Sequence, residues 1–430
     1  MKNLFKQIIK FLIITEARLI LKKYQPKIIA ITGNVGKTST KDAIYTVMRH
    51  DFYVRKSEKS FNSDIGVPLT ILGCANAWTD PVKWLKNVWQ GFNLLIIKQT
   101  YPEWLVLEVG ADRPGDIKNI TKWLKPNITV VTRFSDIPVH IEYFKSQAEV
   151  VKEKGYLVQA LKHDGTLIIN SDDPDVFEFR NKVQNNFISF GTNNEAKIKG
   201  TNYSVYYGEN NRPLGITFKV ESNGNCLPVK ILGTLGQNNI YSALAAIAVG
   251  QALGLNLVET TENLLNYVPP KGRMNLIKGE RQSIIIDDTY NASPVATISA
   301  LETLKTLKSQ GRRLAVLGDM MELGKYSVEA HRRAGQVAGQ VCEALITVGL
   351  RTKSLAEAAI DEGLSEKVVW QFNTSVEAAD WLKAEIKDGD IILVKGSQSM
   401  RMEKVVKAVM QEKTRAIELL VRQEDEWQIR

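Results

Sequence analysis

Cysteine is scarce in this chain of 430 residues: there are three, Cys74, Cys226 and Cys342, far apart and with no Cys-x-x-Cys pair. That excludes a zinc ribbon or a disulfide scaffold and fits a reducing cytoplasm. No apolar run is long enough to span a bilayer. The nearest candidate, at the amino end, sets Leu4, Phe5, Ile8 and Ile9 among Lys2, Lys6 and Lys10 and stops at Glu16 and Arg18. It has no small-residue cleavage site, so neither a signal peptide nor a transmembrane helix is expected. An amphipathic helix over about residues 4–23 is expected instead, which either docks on the body of the protein or lies in a lipid headgroup layer.

Internal repeats and low-complexity runs are missing too. So is a basic stripe: 56 Lys and Arg stand against 47 Asp and Glu, a net +9, but they are scattered singly and no aromatic-rich nucleic-acid module accompanies them. Such a surface suits an anionic substrate or a membrane surface, and no nucleic acid partner is expected. Hydrophobic content of 44% and charged content of 24% are ordinary for a globular protein, and the length predicts two or three domains.

The most informative segment is Ile-Ala-Ile-Thr-Gly-Asn-Val-Gly-Lys-Thr-Ser at 29–39. A β-branched run predicts a buried parallel strand, two glycines a tight turn, and an amphipathic helix starts at once. This order makes a phosphate cradle (a P-loop). Gly33 and Gly36 let the backbone approach phosphate oxygens, with Asn34 and Val35 between them and Ser39 behind. Lys37 supplies a point charge and the Thr38 hydroxyl can ligate magnesium. ATP is the expected ligand. Ile31 stands where the commoner spacing has a glycine, so the loop is the shorter Thr-Gly-x-x-Gly-Lys-Thr-Ser.

Behind the loop, residues 62–68 are turn-rich and predicted to lie near the nucleotide. Residues 78–101 read as a helix in which Trp78, Trp84, Val88, Trp89 and Leu94 form a core-packing stripe. Buried strands at 104–109 and 128–132 alternate with helices, which indicates a parallel sheet whose carboxyl ends would carry Gly33, Glu108 and His140 on one rim. Short strands between 165 and 233 predict a β-rich subregion. A regular Ala-rich helix spans 241–253, a polar helix follows to Tyr267, and Pro-Pro-Lys-Gly at 269–272 is the best linker. Further strands at 284–287, 314–317, 344–348 and 391–394, each followed by a turn and a helical stretch, predict a second α/β domain. The expected division is a helix over 1–26, domains over 27–268 and 272–412, and a charged tail over 413–430 that frays or forms an exposed helix.

Asp-Asp-Thr-Tyr-Asn-Ala-Ser-Pro at 287–294, Gly-Asp-Met-Met-Glu-Leu-Gly at 318–324 and Val-Lys-Gly-Ser at 394–397, in this order behind the phosphate loop, resemble the Mur ligase family. These are ATP-dependent enzymes that add amino acids or a dipeptide to the nucleotide-linked peptidoglycan precursor. The likeness runs over about residues 27–408 and is greatest to the branch that joins D-alanyl-D-alanine to UDP-N-acetylmuramoyl-tripeptide. It implies an α/β protein in which a P-loop central ATPase domain with a parallel sheet precedes a C-terminal Rossmann-like α/β domain, acting as a cytoplasmic monomer. It also implies that Thr38 and Glu108 hold one magnesium ion, that His140 lies near a second, and that Lys154 is the family lysine that becomes carbamylated.

By the same resemblance Asn239 contacts adenine, although the family's preceding histidine is Asn238 here and a later asparagine is Ser242. Arg273 would reach the terminal phosphate, and Asp288 would bind ribose or orient the site. Lys395, Ser397 and Arg401 are candidate contacts for the incoming dipeptide, with Asn62, Asp64 and Asn291 as further substrate candidates. The implied chemistry is phosphorylation of a carboxylate by ATP and attack of an amine on the acyl phosphate. The family normally carries a separate domain for the UDP moiety, where this sequence has residues 1–32 before the loop. UDP-muramoyl peptide is then held by the remaining surface or with a partner, or the acceptor differs and is lipid-linked. A nucleotide-gated binding module is disfavoured by the set Lys37, Glu108, His140, Lys154 and Arg273. The folylpolyglutamate synthetase branch is disfavoured by the segments at 287–292 and 318–324.

Overall fold

The structure, a computed structural model, describes residues 2–134, 141–184, 186–308 and 311–428. It contains two sheets joined by the predicted linker. The first has nine strands: β1 (Lys27–Thr32), β2 (Val54–Lys56), β3 (Trp104–Glu108), β4 (Ile128–Val131), β5 (Thr166–Asn170), β6 (Asn186–Gly191), β7 (Ile198–Tyr207), β8 (Pro213–Ser222) and β9 (Asn225–Leu232). Their order is β2-β3-β1-β4-β5-β6-β7-β8-β9. Pairing is parallel from β2 to β7 and antiparallel from β7 to β9. The expected β-rich subregion is thus the far half of the same sheet, which is mixed rather than wholly parallel.

Both faces of this sheet are covered, which is why β1 reads as an unbroken apolar run. Ile29 and Ile31 point into one hydrophobic cluster, while Ile28 and Ala30 point into another. The first face carries α2 (Lys37–Met48) and the Ala-rich α8 (Asn238–Ala252). The second carries α1 (Lys2–Tyr24), α3 (Gly66–Leu72) and α4 (Pro81–Ile96). Between them in sequence lie α5 (Asp116–Ile120), α6 (Gln147–Gln159) and α7 (Pro174–Phe177).

The first helix is docked: Ile9, Ile13, Ala17 and Ile20, three and four residues apart, are buried in the second cluster. α4 starts at Pro81, with the Asp80 carboxylate accepting from the Val82 and Lys83 N–H groups. Trp78 lies outside the helix. Leu94 is buried as expected, but Trp89 is exposed, so the reading of 78–101 as one core stripe is corrected. Two apolar faces on one helix merged into one in the sequence.

The second sheet comprises β10 (Asn275–Lys278), β11 (Ile284–Asp288), β12 (Arg313–Gly318), β13 (Ala344–Val348), β14 (Val369–Phe372) and β15 (Ile391–Lys395), in the order β10-β11-β15-β12-β13-β14. Only β10 runs antiparallel to its neighbour. Residues 411–428 do not fray. Ala416 and Leu420 are buried, and the Arg422 guanidinium meets Glu403 and the carbonyl oxygens of Thr289 and Tyr290. The expectation of a frayed or exposed tail is corrected there, because the three buried side chains of Ala416, Leu420 and Arg422 suffice to seat a charged segment.

Candidate active site

In the first sheet, β3 and β4 flank β1, so the chain diverges to either side of it and leaves a crevice at its carboxyl end. In the second, β11, β15 and β12 are adjacent, and Asp288 and Lys395 are register partners at their carboxyl ends. These two edges face one cleft of about 870 Å³. Gly33, Lys37, Asn62, Glu108, Lys154 and Asn239 line it from the first side, and Arg273, Asp288, Asn291, Lys395, Ser397 and Arg401 from the other.

The phosphate loop owes its path to two glycines. Gly36 has φ 85°, and Gly33, at φ 142°, lies so close to β4 that a Cβ would stand 2.0 Å from Thr132 Oγ1. α2 begins in this turn with no side-chain cap from residue 36, which leaves the positive end of the helix open to an anion. Lys37 Nζ donates to the Gly33 carbonyl at 2.9 Å and arches over the loop. Burial lowers its pKa, against the opposing pull of Glu108. Asn34, Val35, Gly36 and Ser39 also line the cleft.

Glu108 closes the end of β3 and is 2% exposed. Its Oε2 accepts from Thr38 Oγ1 at 3.0 Å and its Oε1 from Asn62 Nδ2 at 3.3 Å. Thr38 Oγ1 also lies 2.8 Å from Ser60 Oγ and accepts from Arg273 Nη2 at 3.3 Å. The loop bearing Ser60 and Asn62 is held by the fully buried Lys41, whose Nζ donates to Ser57 Oγ and the Lys59 carbonyl.

Lys154 comes from α6 and is buried, its Nζ donating to the Gly33 carbonyl at 3.2 Å. Burial first, then the charge of Lys37, lowers its pKa to about 7. The neighbouring Glu153 sets the helix in place by accepting the N–H groups of Gly115, Ile117 and Lys118 at the start of α5.

From the second side, Arg273 stacks over the Tyr290 ring at 4.2 Å, and its buried Nε has no hydrogen-bond partner among the described residues. Asp288 Oδ1 accepts from the Met274 N–H, and its Oδ2 accepts from Lys395 Nζ at 2.5 Å. Lys395 also donates to the Asn291 carbonyl. Arg401 pairs with Glu403 at 2.6 Å and donates to the Trp427 carbonyl. Ser397 Oγ accepts the Met321 N–H at 2.9 Å.

Asp64 does not line the cleft: it is paired with Lys10 of α1, because residue 64 has turned away toward that helix while Asn62 faces Glu108. His140 lies outside the described residues. Asn239 lines the cleft at the start of α8, but its amide donates to Thr234 Oγ1 and the Leu235 carbonyl, which occupies both hydrogens within the protein. Its carbonyl oxygen is the atom left to face a ligand.

Ser60, Tyr290 and Trp427 also belong to the cleft and carry no role in the sequence analysis. Ser60 adjoins the turn-rich segment at 62–68, Tyr290 lies inside the motif at 287–294 without a role assigned to it, and Trp427 lies in the charged tail.

The donor set fits a magnesium ion. Thr38 Oγ1 and Glu108 Oε2 are adjacent hard oxygen donors beside the phosphate loop, and this ion is commonly held by one or two carboxylates with phosphates and water. Among the described residues there is no group of three or more His, Cys, Asp or Glu that could hold a metal by itself. Lys154 offers a nitrogen and becomes an oxygen donor only when carbamylated.

Comparisons with known proteins identify the family. The family model described as "Mur ligase middle domain" matches residues 91–250, and that described as "Mur ligase, glutamate ligase domain" matches 272–398. The UDP-N-acetylmuramoyl-tripeptide--D-alanyl-D-alanine ligase of Buchnera aphidicola subsp. Acyrthosiphon pisum is 30% identical over 398 residues, covering 91% of this chain and 78% of that one. The Bacillus subtilis ligase of the same name is 27% identical over 92% of this chain and 78% of its own length. A crystal structure of MurF ligase from Thermotoga maritima in complex with ADP shares the fold at a TM-score of 0.75 and 24% identity, over 92% of this chain and 82% of that one. Folylpolyglutamate synthase of Mycobacterium tuberculosis shares it more distantly, at 0.62 and 14% identity, over 92% and 94%. Two matched domain models in the expected order, and a relative at that identity spanned over most of its length, make this chain a member of the Mur ligase family.

Proposed function

We propose that the protein is an ATP-dependent amide ligase that joins D-alanyl-D-alanine to UDP-N-acetylmuramoyl-tripeptide on the cytoplasmic side, where ATP is available. The observation that carries this reading is the convergence on one cleft of a phosphate loop with Lys37, Thr38 and Glu108 from one sheet and Arg273, Asp288 and Lys395 from the other. The names of the relatives support the choice of substrates.

A terminal carboxylate oxygen of the tripeptide attacks the γ-phosphorus of ATP, the bond to the β-phosphate oxygen breaks, and ADP leaves. The free amine of D-alanyl-D-alanine attacks the acyl carbon, phosphate departs, and the nitrogen loses a proton to give the amide. No protein nucleophile is required, so the residues act by position and charge. The first-turn N–H groups of α2 and Lys37 cradle the β- and γ-phosphates, and Arg273 meets the transferred phosphoryl from across the cleft. Thr38 and Glu108 would hold magnesium, which supplies neutralisation of charge on the phosphate oxygens. Asn239 faces the adenine side, Asp288 the ribose or the Lys395 ammonium, and Lys395, Ser397, Asn291 and Arg401 the incoming dipeptide.

Lys154 suits carbamylation. With its pKa near 7 it carries a neutral amine in a large fraction of molecules at neutral pH, and a neutral amine is what bonds to the carbon of CO2, releasing a proton. The product replaces a cation with an anion having two oxygen donors, which would serve a second magnesium.

The test is phosphate release by purified protein with ATP, UDP-muramoyl-tripeptide and D-alanyl-D-alanine, each omitted in turn, with Lys37→Ala as control. Release that needs both substrates, with the pentapeptide product seen by mass, supports the reading; a folded, ATP-binding protein that is silent overturns it. A second reading, the same chemistry on a lipid-linked acceptor, is favoured by the Lys10 to Asp64 pair, which ties α1 to the loop beside Asn62.

A further inference from the structure

Two neighbouring helices leave apolar surface uncovered. α1 sends Ile8 and Phe11 into solvent, Phe11 at 69% exposure, while burying its opposite side. α4 packs Asn87, Gly91 and Leu94 inward. Its outer face carries Leu85, Trp89, Phe92 and Ile96, three or four residues apart along one line of the helix. Trp89 is 61% and Ile96 64% exposed, and the rings of Trp89 and Phe92 lie 5.8 Å apart. The carboxyl-terminal halves of the helices touch: Lys23 Nζ and Tyr24 Oη donate to the Leu94 carbonyl near the end of α4, and a Cβ on Gly91 would meet Glu16. A contiguous apolar face of this kind is uncommon on a monomeric protein without an interaction role.

The charge on the same segments is one-sided. Residues 2–23 and 81–100 hold nine Lys and Arg against a single acid, Glu16, so nearly all of the formal net charge of +9 resides there. Glu16 is buried between the helices, whereas Lys6, Arg18, Lys22, Lys86 and Lys98 are exposed. The basic residues look scattered along the sequence, but Arg18 and Lys22 fall on the same side of α1 as Phe11, and Lys86 stands next to Leu85 and one turn before Trp89 on α4. No helix among the described residues is long and apolar enough to cross a membrane. Large aromatic and aliphatic side chains rimmed by cations are what an anionic lipid surface binds: the former enter the headgroup boundary, the latter meet phosphates.

We propose that the outer faces of α1 and α4 seat the protein on an anionic lipid bilayer, lying in its plane. This does not depend on the acceptor of the ligase reaction. Its consequence for that reaction is placement, since Lys10 of α1 pairs with Asp64 in the loop that leads to Asn62 at the cleft.

The test is sedimentation of the purified full chain with vesicles of phosphatidylglycerol and phosphatidylcholine, against vesicles of phosphatidylcholine alone. Binding to the anionic vesicles only, weakening as salt is raised, is expected. The Trp89→Glu/Ile96→Glu variant is expected to bind them at least ~10-fold more weakly, and Lys22→Glu/Lys86→Glu to lose the preference for anionic lipid. Both pairs are exposed, so thermal unfolding and ATP binding should match the parent and separate lost lipid contact from lost folding. No sedimentation with anionic vesicles overturns the proposal. So does equal binding by the Trp89→Glu/Ile96→Glu variant, or a dimer in solution that this variant abolishes in a protein that ignores lipid, which would assign the face to a second copy.

Discussion

Arg273 Nη2 donates to Thr38 Oγ1 at 3.3 Å, so the first residue group beyond the linker touches the first turn of the helix behind the phosphate loop. Thr234 Oγ1 meets the Arg273 and Met274 carbonyls and the Asn238 amide donates to Ser299 Oγ nearby, but the Arg273 contact ends on an atom offered to magnesium. With Nε unpartnered and the guanidinium stacked on Tyr290, the side chain is held in place with a donor to spare. Replacing Arg273 by Ala is expected to lower kcat ~100-fold or more, about 3 kcal/mol of transition-state stabilisation, while ADP affinity changes little. Steady-state kinetics beside calorimetric ADP titration would check it; an equal loss in both would mean that Arg273 serves nucleotide binding instead.

Lys154 makes activity depend on CO2 and on pH in a stated direction. A lysine whose folded pKa is lowered to about 7 is protonated below that value, and protonated amine does not react with CO2. Activity should therefore fall as pH drops through about 7, and should fall at fixed pH when CO2 is stripped and return with bicarbonate. Lys154→Gln should be inactive and indifferent to bicarbonate. Steady activity in degassed, CO2-free buffer would remove the carbamate from the mechanism.

Gly33→Ala tests the cradle itself. The new Cβ would meet Thr132 Oγ1 at 2.0 Å, and φ 142° is a conformation that side chains resist. Backbone strain of that kind costs about 1–3 kcal/mol, so ATP or ADP affinity should drop roughly 10-fold or more. The sheet should survive, because the loop is at its rim. Unchanged affinity in a titration would place the phosphates elsewhere.

Much of this arrangement was legible in the sequence because short-range signals carried it. The strand, two glycines and helix of 27–48 need only local geometry, and the continuous apolar runs that begin at Ile284 and Ile391 announce buried parallel strands. What escaped had two sources. β9 contains Pro228 and alternates exposed with buried residues, so it reads as loop; the turn before it, Asn223 and Gly224 at φ 49° and 79°, is the clearer hairpin signal. The other misses, Trp427 at the cleft, Asp64 turned to Lys10 and Trp89 facing outward, depend on partners more than fifty residues away or on which of two apolar helix faces meets the body. Periodicity locates a face without saying what covers it.

The seam between α1 and α4 carries a pH-dependent cost that isolates how firmly α1 is docked. Glu16 Oε2 is buried with no hydrogen-bond partner among the described residues, and burial raises its pKa from 4.5 to about 7. Below about pH 4.5 the carboxyl is protonated in both folded and unfolded chains and costs nothing. Between 4.5 and 7 the unfolded chain has released the proton while the folded one keeps it, so stability declines as pH rises, and above 7 the full cost is present. Discounted for the partial solvent contact of the group, that cost is about 1–2 kcal/mol. Glu16→Gln should therefore raise Tm at pH 8 and leave it nearly unchanged at pH 4.5. If scanning calorimetry finds the same difference at both values, the carboxyl is hydrated in the folded chain and α1 is not closed against α4 as described.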